Sequence, residues 1–426
     1  MLTEHRTLHR TYRCRVSMTA AAHNQLDSLF RDCAALYNAA LEERTDCYRK
    51  TGRTITYYDQ CKSLTEIRRD LDGFSDLSLQ VQRGVLARLD RAFQAFFARV
   101  KHGDKPGFPR FRSARRWHSI ELAEVSPTMV RSRDGCVTLT VKGLPAFRLL
   151  PTRELPPPAD LAALRIIRYA RRTEVHLTFA VPAAEPKKIE NPVGIDMGIA
   201  ARITFSDGTA IDRRFTCPKR VRRLQRAVSR SRKGSHQRRK RASALRREHE
   251  RQAEANRQHL HRISSDLCHR YDGFAVEDLQ IQNMTRRARD KGVAAKSGLN
   301  KAIVEQSWAM AVRLLADKAE SAGLRVERVA PHGTSQGCSG CGAVVPKSLR
   351  VRVHRCPDCG LVLDRDVNAA RNILLRSGLT RAGNSAGGAS RGDGRMPPLA
   401  AASGALALFA PERYAAGAEN RARSSI

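Results

Sequence analysis

The stretch CSGCGAVVPKSLRVRVHRCPDCGLVLDRDVNAARN, Cys338 to Asn372, runs two CxxC pairs into an acidic phrase almost without interruption. Cys338, Cys341, Cys356 and Cys359 form CxxC-x14-CxxC. Each tight pair can aim two thiolates at one tetrahedral Zn2+, and the spacer falls just under the usual range of about 15–20 residues. Gly340, Gly342 and Gly360 suit knuckle turns, which need residues that tolerate positive φ. Four unligated buried cysteines are the plain alternative, and two CxxC pairs in so short a segment argue against it. A site closed by four sulfurs is structural and leaves no open position for a substrate. It is expected to brace the adjoining segment, Asp364-Arg365-Asp366-Val367-Asn368.

A chain of 426 residues exceeds the size at which one hydrophobic core stops growing, so two or three domains are expected. Lys and Arg total 77 against 42 Asp and Glu, a net charge of +35. That surplus goes beyond what solubility needs and points to a polyanionic partner, nucleic acid first. A membrane surface would want an amphipathic anchor or a spanning segment, and no run of 18 apolar residues occurs. The opening MLTEHRTLHRTYRCR lacks an apolar signal core, so the expected compartment is the cytoplasm. Of eleven cysteines, the seven outside the ribbon (Cys14, Cys33, Cys47, Cys61, Cys136, Cys217, Cys268) stand singly. They read as small apolar residues of reduced cores rather than a disulfide framework.

Upstream, Thr11 to Val16 alternates like a short strand. Leu26, Leu29, Phe30, Cys33, Leu36, Tyr37, Ala40 and Leu41 then recur at helical spacing. A second helix is predicted over Leu79 to Val100, and together the two read as a helical bundle. In KPGFPRFRSARRWHS, Arg110, Arg112, Arg115 and Arg116 alternate with Phe108, Phe111 and Trp117. Two readings fit that alternation: cations on phosphates with rings stacked on bases, or a basic strand with its rings in a core. Alternating segments such as Cys136 to Val141 and Val175 to Val181 extend a β-rich module to about residue 184.

A new unit begins at Asn191. Strands are predicted over Val193 to Met197 and Ala201 to Phe205, with a turn at Asp207-Gly208. Arg213 to Arg257 is a helical stretch of one-sided charge that includes Arg222, Arg223, Arg238, Arg239, Lys240 and Arg241. Such a stretch repels itself unless a polyanion neutralises it, so nucleic-acid contact is expected there. GFAVED, from Gly273, reads as a buried strand, Ile303 to Ala322 as one helix, and Leu324 to Val329 as a strand. From 379 to 426 Gly, Ala, Ser and Arg dominate, as in a disordered tail.

Three acids fall at strand ends or strand–helix junctions: Asp196 in GIDMGI, Glu277 in FAVEDL and Asp366 in DRDVNAA. Any one alone is an ordinary cap or surface acid. Together they suit two-metal phosphodiester hydrolysis, in which carboxylates hold two Mg2+ that ready water and stabilise the leaving oxygen.

At these residues the sequence resembles the TnpB proteins of bacterial insertion sequences, relatives of the type V CRISPR effector nucleases. The resemblance rests on GIDMGI, FAVEDLQIQNM, the block from LNKAIVEQSWAM through APHGTSQGCSGCG, and HRCPDCGLVLDRDVNAARNIL. It covers about residues 191–375 closely and the N-terminal half more loosely. It implies an α/β fold plus a β-barrel: a RuvC-like nuclease of RNase H type at 191–332 and 361–378, with a zinc ribbon inserted at 333–360. A β-rich wedge domain at 1–16 and 101–185 would precede it, carrying a helical recognition bundle at 17–100.

The implied activity is RNA-guided cleavage of double-stranded DNA beside a short flanking motif. Guide RNA and duplex DNA would be the partners, a transposase from the same element a functional associate, and the bacterial cytoplasm and nucleoid the location. Asp196, Glu277 and Asp366 match the three catalytic carboxylates for Mg2+ or Mn2+, and the four cysteines match a structural Zn2+ site. Asp364 and Asp278 read as neighbours rather than ligands, and His332 as no ligand. The flank-reading region points loosely to Tyr57, Tyr58, Gln60, Ser78 and Gln80.

Two rivals remain open from sequence. A transposase of RNase H fold would join strands itself. A guided binder without nuclease activity would be expected to lose one of the three acids, and all are present.

Overall fold

The computed structural model describes residues 6–70, 76–199, 201–212, 218–287, 292–348 and 351–379. Arg213, Cys217 and residues 380–426, most of the expected tail, lie outside them. Among the described residues the helices are α1 (Ala20–Thr51), α2 (Tyr57–Asp70), α3 (Leu79–Lys101), α4 (Pro218–Ser229), α5 (His236–Arg270), α6 (Ile281–Met284), α7 (Val293–Gln306), α8 (Trp308–Ser321) and α9 (Arg365–Ser377). None is long and apolar enough to cross a membrane.

The first sheet contains β1 (Thr7–Ser17), β2 (Ser119–Glu121), β3 (Val130–Arg133), β4 (Cys136–Leu139), β5 (Phe147–Leu150), β6 (Leu161–Arg168) and β7 (Thr173–Pro182). It is antiparallel, in the order β2-β6-β7-β1-β5-β4-β3. Its end strands β2 and β3 do not pair among the described residues, so the expected barrel is realised as a sheet not closed by hydrogen bonds. Tyr12, Cys14, Leu164, Val175 and Phe179 of this sheet share one apolar core with Leu26, Phe30, Cys33 and Leu89 of the helices. The expected bundle and β-rich module are therefore packed as one body.

Helix α1 begins where Thr19 accepts the Ala22 N–H at 3.2 Å, and stops at Gly52, which takes the left-handed φ of 67°. Buried Arg44 ties three helices together, reaching Gln60 Oε1 of α2 at 2.7 Å and Asp90 Oδ1 of α3 at 3.1 Å. Gln60 is thus consumed inside the bundle and is not available to read a DNA flank.

The second sheet holds β8 (Pro192–Asp196), β9 (Ile203–Phe205), β10 (Ala210–Ile211), β11 (Gly273–Glu277) and β12 (Arg325–Val329), in the order β10-β9-β8-β11-β12. β8, β11 and β12 are parallel, whereas β9 and β10 are antiparallel additions at one edge. Side chains alternate across a strand. Val193, Ile195, Phe274 and Val276 accordingly pack on one face with Leu260, Ile263, Leu267, Trp308, Leu314 and Leu315 of α5 and α8. On the other face Ala275 packs with Ile373 of α9 and with Leu379, which is buried rather than the start of a tail. Each fully buried side chain of this kind contributes about 1.5–3 kcal/mol.

Two expected helices are interrupted. The predicted helix from Ile303 to Ala322 breaks at Ser307, which has φ 58° and separates α7 from α8. Its hydroxyl accepts from Asn256 Nδ2 at 2.9 Å, while Gln306 Nε2 donates to Ile199 O at 2.9 Å, so side-chain bonds hold the kink. The basic stretch divides into α4 and α5 around Gly234, φ 83°, with Ser235 capping α5. The two bodies meet where the Ala170 N–H donates to the Glu250 carboxylate and Arg172 pairs with Glu254 at 3.1 Å.

Candidate active site and cysteine ribbon

β8 ends at Asp196 and β11 at Glu277. The strands are parallel neighbours with Ile195 opposite Val276, which sets the two acids side by side at one end of the sheet. Alternation puts Asp196 on the face of Gly194, and Glu277 on the face of Ala275. Helix α9 crosses that face. A Cβ on Gly194 would overlap the carbonyl oxygen of Ala370 and lie 2.9 Å from the Cβ of Leu374, so only glycine admits the helix so close. Asp366, Ala370 and Leu374 are spaced by four and form one stripe of α9. Docking Ala370 on Gly194 therefore carries Asp366, one turn earlier, toward Asp196, two residues later on the strand. Gly198 borders the same place, where a Cβ would stand 3.9 Å from Asp366 Oδ2.

The electrostatics record this crowding. All three carboxyls are partly exposed. Desolvation and the neighbouring Glu277 and Asp366 charges push Asp196 up to about 8, against a smaller opposing pull from Arg365. Burial raises Glu277, with Thr334 and Arg376 working in the other direction. Burial and Asp364 raise Asp366, and Arg352, 3.6 Å away, opposes them. The four cysteine sulfurs are the one group of three or more His, Cys, Asp or Glu ligand atoms that converge within 4.8 Å among the described residues. Asp196, Glu277 and Asp366 do not form such a group.

The neighbouring acids have other work. Asp364 caps α9, accepting from the Asp366 and Val367 N–H groups at 2.8 and 3.2 Å. Asp278 pairs with Arg328 at 3.1 Å.

Both cysteine knuckles use the same backbone pattern. Gly342 N–H donates to Cys338 O at 2.9 Å and Cys338 N–H to Ala343 O at 2.9 Å; Gly360 and Cys356 repeat the pattern at 3.1 and 2.9 Å. Gly342 and Gly360 have φ 81° and 72°. Gly340 does not adopt positive φ; it sits against Leu361 and the Cys338 and Cys359 sulfurs instead. The Cys338–Cys359 and Cys341–Cys356 sulfurs are 3.6 Å apart, matching the ~3.8 Å edge of a tetrahedron with 2.3 Å metal–sulfur bonds. The hairpin of β13 (Val353–Arg355) and β14 (Val362–Asp364) then leads straight into α9. Cys14 and Cys33 are core residues, as expected, while Cys47, Cys61, Cys136 and Cys268 are only partly buried; all six are unbridged.

A second stripe of α9 grips the approach to the ribbon. Asn368 accepts from Ser339 N–H at 2.9 Å and donates to Gly337 O at 2.7 Å; Asn372 donates to Thr334 O and Gly337 O, both at 2.8 Å; Arg376 donates to His332 O at 2.5 Å. Thr334 in turn donates to Glu277 Oε1 at 2.6 Å. Sequence reasoning missed these residues, although Asn368, Asn372 and Arg376 recur by four and were open to being read as a polar helix face.

The candidate nucleic-acid residues separate into two kinds. Arg110, Arg112, Arg115, Arg116, Arg222, Arg223, Arg239 and Lys240 are exposed. Arg238 and Arg241 instead cap α4, the first donating to Val228 O at 2.7 Å and the second to Ala227 O at 3.2 Å. Cations near the last turn offset the helix dipole, so these two are structural. Arg222 and Arg223 line an open concavity of about 560 Å3 together with Lys219, Arg226 and Arg230, a helically spaced stripe that the sequence reading did not single out. In KPGFPRFRSARRWHS the two readings divide by residue. Trp117 is buried, with Arg88 4.7 Å over its ring and Tyr37 5.4 Å edge-on. Phe108 and Phe111 are 48% and 65% exposed, leaving ring surface beside the exposed arginines.

Comparison with known proteins agrees with this architecture. Residues 169–288 match the OrfB/IS605 family model, described as "Probable transposase", and residues 308–373 match the Cas12f1-like TNB domain. A protein of Streptomyces pristinaespiralis named "Putative RNA-guided DNA endonuclease" is 31% identical over 86% of this chain and 88% of its own length. InsQ of Escherichia coli, similarly named, is 26% identical over 80% of this chain and 86% of its own length. The solved Cas12f1-sgRNA-target DNA complex has the same fold at TM-score 0.51 and 14% identity, covering 86% of this chain and 98% of that one. On these grounds the chain belongs to the TnpB family of insertion-sequence proteins.

Proposed function

We propose that the chain is an RNA-guided endonuclease that cuts double-stranded DNA in a RuvC-like, RNase H type site formed by Asp196, Glu277 and Asp366. The observation that carries this reading is the docking of α9 on Gly194, which brings acids from three distant segments to one end of the sheet. Oxygen-only donors suit a hard divalent ion; burial first, and then the Glu277 and Asp366 charges, lift Asp196 to about 8, and bound cations would relieve the like-charge part of that rise. Two Mg2+ or Mn2+ held there would supply the charge that readies water for in-line attack and steadies the leaving oxygen. The protein's own part is to hold the carboxylates rigidly: Asp196 and Glu277 on strands, Asp366 on a helix capped by Asp364 and anchored by the ribbon.

The four cysteines would hold a structural Zn2+, since their sulfurs all lie within 4.8 Å of one another and two pairs stand 3.6 Å apart. The seven-stranded sheet would serve as wedge domain and α1 to α3 as recognition bundle, with the nuclease formed by 191–332 and 361–378 around the ribbon at 333–360. The exposed cations of α4 and of residues 110–116 would neutralise phosphates of the guide RNA and the DNA target, while guide pairing chooses the sequence. The acting location would be the bacterial cytoplasm, on the nucleoid when bound to DNA, in functional association with a transposase of the same element.

Sequencing the RNA that copurifies with the protein, followed by cleavage of plasmids matched to it within a library of flanking sequences, tests this reading. Linearised plasmid in Mg2+ is the expected product. Joined strands with transposon-end substrates would favour a transposase instead, and tight guided binding with no cutting would favour a regulator.

A further inference from the structure

The segment from His332 to Ser339 connects the end of the second sheet to the first cysteine knuckle. Three residues of one α9 stripe hold its backbone: Asn368, Asn372 and Arg376. Thr334 lies within it, 4% exposed. Its hydroxyl has one proton and two acceptors, Glu277 Oε1 at 2.6 Å and Pro331 O at 3.1 Å. The shorter bond to the charged acceptor is the stronger. The last torsion of a glutamate is soft and broad, so an unsupported Glu277 would swing. Resting on the reading of Glu277 as a ligand of the catalytic ions, we propose that Thr334 is the positioning residue of Glu277, fixing its carboxylate and coupling it through α9 to the cysteine ribbon. The segment then acts as a strap whose two ends are the zinc knuckle and the acid site. Asp366 and Glu277 are set by one helix, the first directly and the second through Asn372 and Thr334.

The test compares ribonucleoproteins carrying Thr334→Val, which keeps the shape and removes the donor, and Thr334→Ser, which keeps the donor and removes the methyl. Mn2+ binding is measured by electron paramagnetic resonance, with Asp196→Ala ribonucleoprotein as background, alongside DNA cleavage rate and zinc content. Thr334→Val is expected to weaken Mn2+ affinity and slow cleavage by about 10–100-fold, the usual cost of losing a hydrogen-bond partner of a metal ligand. Zinc content should be unchanged, and Thr334→Ser should retain both activities. If Thr334→Val does not accumulate, Thr334→Ala is expected to give the same losses with zinc in place. Wild-type Mn2+ affinity in the variants lacking the hydroxyl overturns the proposal, as does a Thr334→Ser protein no better than Thr334→Val. A wild type that never cuts would count against the endonuclease reading, while the Mn2+ comparison would still decide the role of Thr334.

Discussion

Gly194 of β8 and Ala370 of α9 touch so closely that a single methyl group on residue 194 would overlap the Ala370 carbonyl oxygen. That contact sets the height of α9 above the sheet, and with it the distance from Asp366 to Asp196. Gly194→Ala is expected to destabilise the protein by about 1–3 kcal/mol, as overpacking does. Cleavage should fall more than stability accounts for, because the acids separate. Thermal denaturation and cleavage rates measured well below the melting temperature check both parts.

Asp364 and Asp366 stand two residues apart in DRD and should respond differently. Asp364 is spent on the α9 cap, so Asp364→Ala should cost about 1 kcal/mol of stability and leave measurable cleavage. Asp366→Ala should abolish cleavage and leave the fold intact. Equal loss of cleavage in both variants would mean that Asp364 is itself a ligand.

The Asp196 carboxyl gives the metal-free protein a pH signature. Burial and the Glu277 and Asp366 charges hold it at about 8, against about 3.9 in an unfolded chain. Between those values the folded protein binds more protons than the unfolded chain, so stability falls as pH rises through the interval. Asp196→Asn should flatten that slope in chelator and raise the melting temperature near neutral pH. Because the ions need the carboxylate, Mg2+ binding near pH 7 should release about one proton. Titration calorimetry in buffers of different ionisation enthalpy measures that release.

The stripe of Lys219, Arg222, Arg223, Arg226 and Arg230 should act through phosphates alone. Arg222→Gln and Arg226→Gln are each expected to weaken nucleic-acid binding uniformly across sequences and to lower the slope of log affinity against log salt by about 1. Arg238→Gln should instead lower stability with little effect on that slope, because its guanidinium is committed to the end of α4.

Much of the site was legible in the sequence because its determinants are local. The strand runs GIDMGI and GFAVED, the cysteine spacing and the DRDVNAA phrase each announce themselves within a few residues. What stayed hidden is contact between distant segments. Thr334 reaches Glu277 across 57 positions and Asn256 reaches Ser307 across 51. The Ser307 kink was missed because the apolar period continues through it, and the interrupting bond comes from another helix. Arg238 and Arg241 looked like phosphate ligands because composition does not show that α4 folds back to present its carbonyls. The barrel was implied by the family resemblance, whereas alternation reports strands but not whether the end strands β2 and β3 meet.

The most direct measurement is plasmid cleavage by purified ribonucleoprotein, wild type against Asp196→Ala, on a matched target in Mg2+, with target binding recorded in parallel. The account predicts that the wild type cuts both strands and that Asp196→Ala binds the target with unchanged affinity and cuts neither. Cleavage by Asp196→Ala at the wild-type rate would contradict it and move the chemistry away from the end of β8.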